Sequence, residues 1–267
     1  MTVFQAIVLG VLQGLAEFLP ISSSAHLTLA PWVLGWDDPG LAFDVALHFG
    51  TLLAILWYFR REWVELVRAG FEVIRTRRVE TDVQRRALFL LIATIPGGIA
   101  GLAFEKQAES TFRSPELIAV ALIVLGVVLW WVDRAARRDR HINDMTWKDA
   151  LLIGVAQMFA IIPGVSRSGS TITGGRMLRL NREDAAVFSF LMSMPIIAAA
   201  AILKVPDAIR TEGFSAPLIA GVLASAISGW MAIGFLLRFV KTRSYGAFAI
   251  YRVALGVAML WLVVARG

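Results

Sequence analysis

The chain has no cysteine, only three histidines and three tyrosines, and few charges: Asp, Glu, Lys and Arg make up 17% of its 267 residues, where a soluble domain carries about 25%. Without cysteine there are no disulfides, thiolate metal sites or cysteine nucleophiles, and the redox compartment stays unread. The scarcity of charge argues against a soluble globular enzyme. No Lys or Arg precedes Arg60, so Met1-Thr2-Val3-Phe4-Gln5 lacks the basic region of a cleavable signal peptide, and the first helix is expected to stay in the mature protein. In place of charge there is apolar length, with 58% hydrophobic residues and a mean hydropathy of +0.70. Runs able to cross a bilayer recur from end to end, which makes lipid the solvent and the chain one polytopic membrane domain. The formal charge of +6 then belongs to loops at one membrane face, and nucleic acid is not an expected partner.

The expected fold is an all-α polytopic membrane protein. Apolar segments run from Leu41 to Phe59, Ala87 to Phe104 and Pro115 to Val132, then from Ala185 to Leu203, Ala216 to Leu237 and Ala247 to Val264. That predicts six transmembrane helices. Each trio follows a segment that stops early. Val3 to Leu19 ends at Pro20 and a serine cluster, and the 13 residues from Ala150 to Ile162 end at Pro163-Gly164 and another. Thirteen residues reach about 20 Å as helix, short of a core of about 30 Å. Proline and glycine break the helix and the hydroxyls cap a new one, so both segments are expected to be re-entrant helix pairs.

The halves, roughly 1–140 and 141–267, also match each other. Gly10, Val11, Gln13, Ala16, Ser22 and Ser24 recur 144 positions later as Gly154, Val155, Gln157, Ala160, Ser166 and Ser168. Nearer the ends the offset is 130, pairing Ser114, Leu125, Gly126, Val127 and Trp131 with Ser244, Leu255, Gly256, Val257 and Trp261, the difference falling in a longer basic loop of the first half. Three crossings per half is an odd number, which makes this an inverted-topology repeat. Assigning loops alternately gathers nineteen Lys and Arg residues on one side and five on the other, the five being Lys106, Arg113, Lys204, Arg210 and Arg266. The bias puts the nineteen in the cytoplasm and both termini outside, so the broken tips meet near the midplane.

The first break places Gln13 and Glu17 four apart on one helix face, before Pro20, Ser22, Ser23, Ser24 and His26. A carboxylate at membrane depth is costly, so Glu17 should face a wet cavity, a metal or a cation brought from elsewhere. The blander alternative is a protonated Glu17 bonded between helices. At least one serine is expected to be only a cap. His26 can serve as nucleophile, acid, base or metal ligand, whereas His48, in an apolar run, is expected to be a packing residue and His141 a solvated one. The second break, Pro163-Gly164-Val165-Ser166-Arg167-Ser168-Gly169-Ser170-Thr171, assembles an anion site. Helix N-terminal N–H groups point at the anion, hydroxyls donate, and Arg167 forks onto phosphate where Lys would not match. Arg167 also has a structural alternative, an ion pair with Glu17 across the pseudo-twofold axis, and the two roles are compatible. The spacing of Gly164, Gly169 and Ser170-Thr171 mimics a P-loop, but no strand precedes it and the lysine is missing.

The motifs Gln13-x-x-x-Glu17, Pro20-x-Ser22-Ser23-Ser24-x-His26 and Pro163-Gly164-x-Ser166-Arg167-Ser168-Gly169-x-Thr171, with the chain's size and segment order, resemble the undecaprenyl-diphosphate phosphatases, also called bacitracin-resistance proteins. The resemblance implies an enzyme of the bacterial cytoplasmic membrane that hydrolyses the terminal phosphate of the C55 isoprenoid diphosphate and recycles the carrier for cell-wall synthesis. It implies a divalent cation, Mg²⁺ or Ca²⁺, and a polyprenyl diphosphate substrate, while the orientation read from Lys and Arg predicts a cavity opening outside. The resemblance carries the acidic motif onto Gln13 and Glu17, the catalytic histidine onto His26, and the hydroxyl and arginine positions onto Ser23, Ser166, Arg167 and Thr171. Taken with the reading of the two breaks, catalytic roles are expected for Glu17, His26, Arg167 and Ser23, with Glu17 also a metal ligand, and substrate contacts for Gln13, Ser22, Ser24, Ser166, Ser168, Gly169, Ser170 and Thr171. The family carries Glu or Gln at the position of Gln13, so a carboxylate ligand there is not obligatory, and the cation is expected to be held largely by the diphosphate and water. The nucleophile stays open among His26, Ser23 and water. A homo-oligomer is compatible with the sequence. The rival is a transporter or flippase for a phosphorylated lipid or other anion, which would use the same anion site.

Overall fold

The computed structural model describes residues 1–104, 107 and 111–266, and the side chains of all of these but 41, 111, 204, 205, 207–212 and 266. Lys106 therefore lies outside the described residues, as do the side chains of Lys204, Arg210 and Arg266. Among the described residues there are eleven α-helices and no strand. They are α1 (Val3–Phe18), α2 (Ser23–Leu34), α3 (Gly40–Tyr58), α4 (Arg60–Thr76), α5 (Asp82–Ala103), α6 (Pro115–Ala135), α7 (Trp147–Met158), α8 (Arg167–Met177), α9 (Arg182–Glu212), α10 (Ala216–Thr242) and α11 (Gly246–Arg266). Local chemistry explains their starts. Thr2 with Gln5, Thr81 with Gln84 and Thr146 with Asp149 form capping boxes, and Ser114 and Ser215 cap helices that carry proline in the first turn.

Helices α5, α6, α9, α10 and α11 are each long and apolar enough to cross a membrane, and α3 passes the same test together with α4, from which it is bent by 85°. Counting that pair as one span gives the expected six. The two segments expected to stop early do so: α1 has 16 residues and α7 has 12, each followed by a break and a returning helix. The longer basic loop is corrected. Residues 60–76 form a helix, α4, whose apolar and charged residues fall on separate faces, a periodicity that the loop reading passed over.

Packing repeats in the two halves. α1 lies against α10 as α7 lies against α5, α3 against α10 as α9 against α5, and α3 meets α9 as α6 meets α11. Small residues permit this. A Cβ on Gly10 would fall 2.3 Å from the Gly221 carbonyl, and one on Gly154, its partner 144 residues on, 2.5 Å from the Ala93 carbonyl. Helices in lipid gain association through such close backbone approach. At the face where α6 ends, buried Asp133 accepts from Arg176 Nε at 3.1 Å, Arg182 Nη2 at 2.7 Å and the Tyr245 backbone N–H at 3.1 Å. This ties α6, α8, α9 and α11 together.

Candidate active site

Ser22 and Ser166, the caps of α2 and α8, both hold a left-handed backbone, with φ of +76° and +71°. Residues with a Cβ pay of order 1–3 kcal/mol for such a conformation, and it persists where the surroundings impose it. Each cap accepts from its own helix, Ser22 Oγ from Ala25 N–H at 3.4 Å and Ser166 Oγ from Gly169 N–H at 3.0 Å. Each also pairs with the serine two residues on, Ser24 at 3.2 Å and Ser168 at 3.3 Å. The breaks are joined across the halves: the Gly164 N–H donates to Ser22 Oγ at 3.1 Å and Ser168 Oγ to the Leu19 carbonyl at 3.1 Å. Behind them, fully buried Arg252 of α11 donates to the carbonyls of Gly164 at 2.8 Å, Val165 at 2.9 Å, Pro20 at 3.4 Å and Leu122 at 3.4 Å. One guanidinium thus satisfies carbonyls that both breaks leave without helical partners. A Cβ on Gly169 would lie 2.5 Å from Arg252 Nη1 and push that guanidinium off the carbonyls it holds.

Glu17 is the hub. Its Oε1 accepts from Arg167 Nη2 at 2.6 Å, and its Oε2 from Ser23 Oγ at 2.7 Å and Gln13 Nε2 at 3.1 Å. Arg167 Nη1 donates to the Ser189 carbonyl of α9 at 3.0 Å. Thr171 supports that arm: its hydroxyl donates to the Arg167 carbonyl at 2.8 Å and pairs with Ser189 Oγ at 2.7 Å. Ser170 Oγ is likewise turned to the Arg167 carbonyl, at 3.0 Å. Gln13, Glu17, Ser23 and Arg167 therefore converge on one buried point. The ion pair weighed as the structural alternative for Arg167 is present.

Of the two membrane-embedded histidines, one stands differently from what the sequence implied. His48 is corrected: instead of packing, it directs Nε2 at Glu17 Oε2, 3.4 Å away, while Nδ1 donates to the Asp44 carbonyl at 2.7 Å. His26 is bonded elsewhere, its Nδ1 donating to the Ser22 carbonyl at 2.7 Å and its Nε2 accepting from the Tyr251 hydroxyl at 2.7 Å. The two rings are parallel, with centroids 5.7 Å apart. Sequence reasoning missed His48, Ser189, Tyr251 and Arg252. A usable signal existed for His48 and Arg252, since any ionisable residue inside a span marks a site by default; Ser189 and Tyr251 carried none.

From His48 a polar path leads to the face where α1 begins. Asp44 lies 3.7 Å from Arg113, which binds Asp38 at 3.1 Å. Asp38 lines a cavity of about 410 Å³ with Met1, Gln5, Asp37, Pro39 and Ser215. For a divalent cation the fit is partial. Both Glu17 oxygens already accept, and no group of three or more His, Asp or Glu among the described residues could hold a metal. Gln13 Oε1, buried beside Glu17, has no partner. These residues do not form a resident cage, but they leave one carboxylate and one free amide oxygen for a cation that arrives with other ligands.

A membrane protein that brings an arginine, a carboxylate and capping hydroxyls together at paired helix breaks defines a class built to handle an anion within the bilayer. The family model described as bacitracin resistance protein BacA matches residues 6–258, and the chain belongs to that family. It is similar to the undecaprenyl-diphosphatase of Gemmatimonas aurantiaca, with 59% identity over 266 residues covering 100% of both chains. It is similar also to that of Moorella thermoacetica, at 52% over 265 residues, covering 98% of this chain and 99% of the relative. A third, from Pelotomaculum thermopropionicum, is 48% identical over 266 residues, covering 100% and 98%.

Proposed function

We propose that this chain is a phosphatase that removes the terminal phosphate of undecaprenyl diphosphate, leaving undecaprenyl phosphate for renewed cell-wall synthesis, and thereby counters bacitracin. The observation that carries the mechanism is the 2.7 Å hydrogen bond from Ser23 Oγ to Glu17 Oε2, beside the 2.6 Å pair of Glu17 with Arg167. A hydroxyl aimed at a carboxylate and flanked by a guanidinium has the parts for phosphoryl transfer, which rests on positioning and charge neutralisation. In this proposal the terminal phosphate takes Arg167 as its forked partner. Ser23 Oγ attacks phosphorus, its proton passes to Glu17, and the bond to the bridging oxygen breaks with the electron pair leaving on undecaprenyl phosphate. Water then attacks the phosphoserine, the bond from phosphorus to Ser23 Oγ breaks, Glu17 returns to that oxygen the proton it took, and the phosphate leaves carrying the water's oxygen and protons. His26, three residues after Ser23 on the same helix face, takes up a proton on Nε2 and donates it to a phosphate oxygen in place of accepting from the Tyr251 hydroxyl. Ser22, Ser24, Ser166, Ser168, Gly169, Ser170 and Thr171 shape the oxygen cradle and hold the two breaks.

A divalent cation, Mg²⁺ or Ca²⁺, would come bound to the diphosphate and meet Glu17 and Gln13 Oε1. Its chemistry there is neutralisation of phosphate charge. In this proposal the enzyme works in the bacterial cytoplasmic membrane with its site opening outside, a reading that the polar path from Glu17 through His48 to the cavity at Asp38 supports. Apolar grooves of about 510 Å³ between α3 and α10 and about 340 Å³ between α6 and α11 suit an isoprenoid tail. Phosphate release by detergent-purified protein tests the reaction. A carrier has no need of a serine bonded to a carboxylate, and binding without release under any cation would favour the carrier.

A further inference from the structure

Helix α4 is unlike the spans. It leaves α3 at 85°, so it runs along the membrane plane where α3 runs through it. At about 100° per residue, its side chains sort into four rows. Val64, Val67, Phe71 and Ile74 make an apolar row, and all four are exposed, from 49% to 75%. About 80° round lie Arg61, Arg68 and Arg75, spaced by seven and exposed; beyond them come Glu62, Glu65 and Glu72. The remaining side, with Leu66 and Ala69, is buried and packs on α5. Glu72 accepts from Gln84 Nε2 of α5 at 3.2 Å, which fixes the rotation. With that face docked, the apolar row points to one side of the helix and the glutamates to the opposite one.

Aromatic residues mark the level. Arg60 sits over the Trp57 ring at 5.2 Å at the bend, Arg134 over Trp130 at 5.6 Å at the end of α6, and Lys148 over Trp147 at 5.7 Å at the start of α7. Alternation of the spans puts all three on the same face, and Trp beside a cation is the usual furnishing of a headgroup layer.

We propose that α4 is an interfacial helix that binds the anionic phospholipid surface, its apolar row sunk at the headgroup boundary and Arg61, Arg68 and Arg75 on lipid phosphates. The exposed apolar row is covered by lipid, the arginine row beside it matches negative headgroups, and the glutamates, which an anionic surface would repel, face water.

The absence of cysteine allows a clean test. An environment-sensitive fluorophore is attached at Phe71→Cys, or at Glu65→Cys as the aqueous control, in the full chain in nanodiscs of phosphatidylcholine with or without phosphatidylglycerol. Brominated lipid should quench the label at position 71 and iodide should not; the label at 65 should do the reverse. Quenching at 71 by brominated phosphatidylglycerol should exceed that by brominated phosphatidylcholine several-fold, an arginine near the surface being worth roughly fivefold. In the triple variant Arg61→Gln, Arg68→Gln, Arg75→Gln the ratio should fall to about one. Phosphate release and the melting midpoint report that each variant is folded. Iodide quenching of 71 equal to that of 65, or a label at 71 shielded from both quenchers and cross-linking between copies, would overturn the proposal. So would a native lipid ratio of one.

Discussion

Glu17 and Arg167 are 150 residues apart in the chain and 2.6 Å apart in space. One stands at the end of α1 and the other opens α8, at corresponding breaks of the two halves, so neither half alone holds the site. The pair also keeps a carboxylate and a guanidinium from lying unpaired at membrane depth, which would be costly. Arg167→Lys keeps the charge but loses the fork. Turnover should fall about a hundredfold, the worth of one oriented electrostatic contact. Steady-state phosphate release measures it, and unchanged turnover would refute the forked contact.

Gln13 gives Glu17 one of its hydrogen bonds, at 3.1 Å, and carries no charge of its own. Gln13→Ala should therefore be milder than Glu17→Ala. Comparing kcat for the two, in the same lipid, separates the roles; equal losses would mean that Gln13 does more than orient the carboxylate or offer its free oxygen.

His48 reaches Glu17 through Nε2 while its other nitrogen is anchored on the Asp44 carbonyl. The amide of Gln at this position has similar reach, so His48→Gln should stay within about threefold of native kcat. His48→Leu leaves a buried acceptor short of a partner, worth roughly 1–3 kcal/mol, and kcat should fall by about tenfold or more with KM little changed. A Leu variant with native kcat would show that the contact is idle.

Arg252 supports the scaffold without joining the Glu17 cluster. Arg252→Met would strip three carbonyls at the two breaks, those of Pro20, Gly164 and Val165, and the Leu122 carbonyl within α6 of this donor, at roughly 1–3 kcal/mol for each break carbonyl left unsatisfied. The melting midpoint in detergent should drop well below that of Arg167→Met. Equal midpoints would assign the breaks some other support.

Much of this was legible because lipid imposes simple rules. Proline and glycine before serine clusters announced α1, α2, α7 and α8, and the odd number of spans per half announced the inversion. Glu17, Ser23 and Arg167 were legible because polar groups at helix breaks in a membrane need a reason. The loop reading of residues 60–76 failed because charge density masked a helical periodicity whose apolar row faces outward. His48 was passed over because its meaning comes from α1 crossing α3, a tertiary fact that local sequence does not carry. His26 shows the opposite limit: its motif is plain, yet its hydrogen bonds run to Tyr251, 225 residues away.

The most direct measurement is phosphate release from undecaprenyl diphosphate by the detergent-purified protein, with Mg²⁺, Ca²⁺ or chelator, for the native chain, Ser23→Ala and His26→Ala. The account predicts cation-dependent release by the native chain, none above background for Ser23→Ala, and a reduced but measurable rate for His26→Ala. Release by Ser23→Ala at the native rate would contradict Ser23 as nucleophile, and no release by the native chain under any condition would contradict the phosphatase itself.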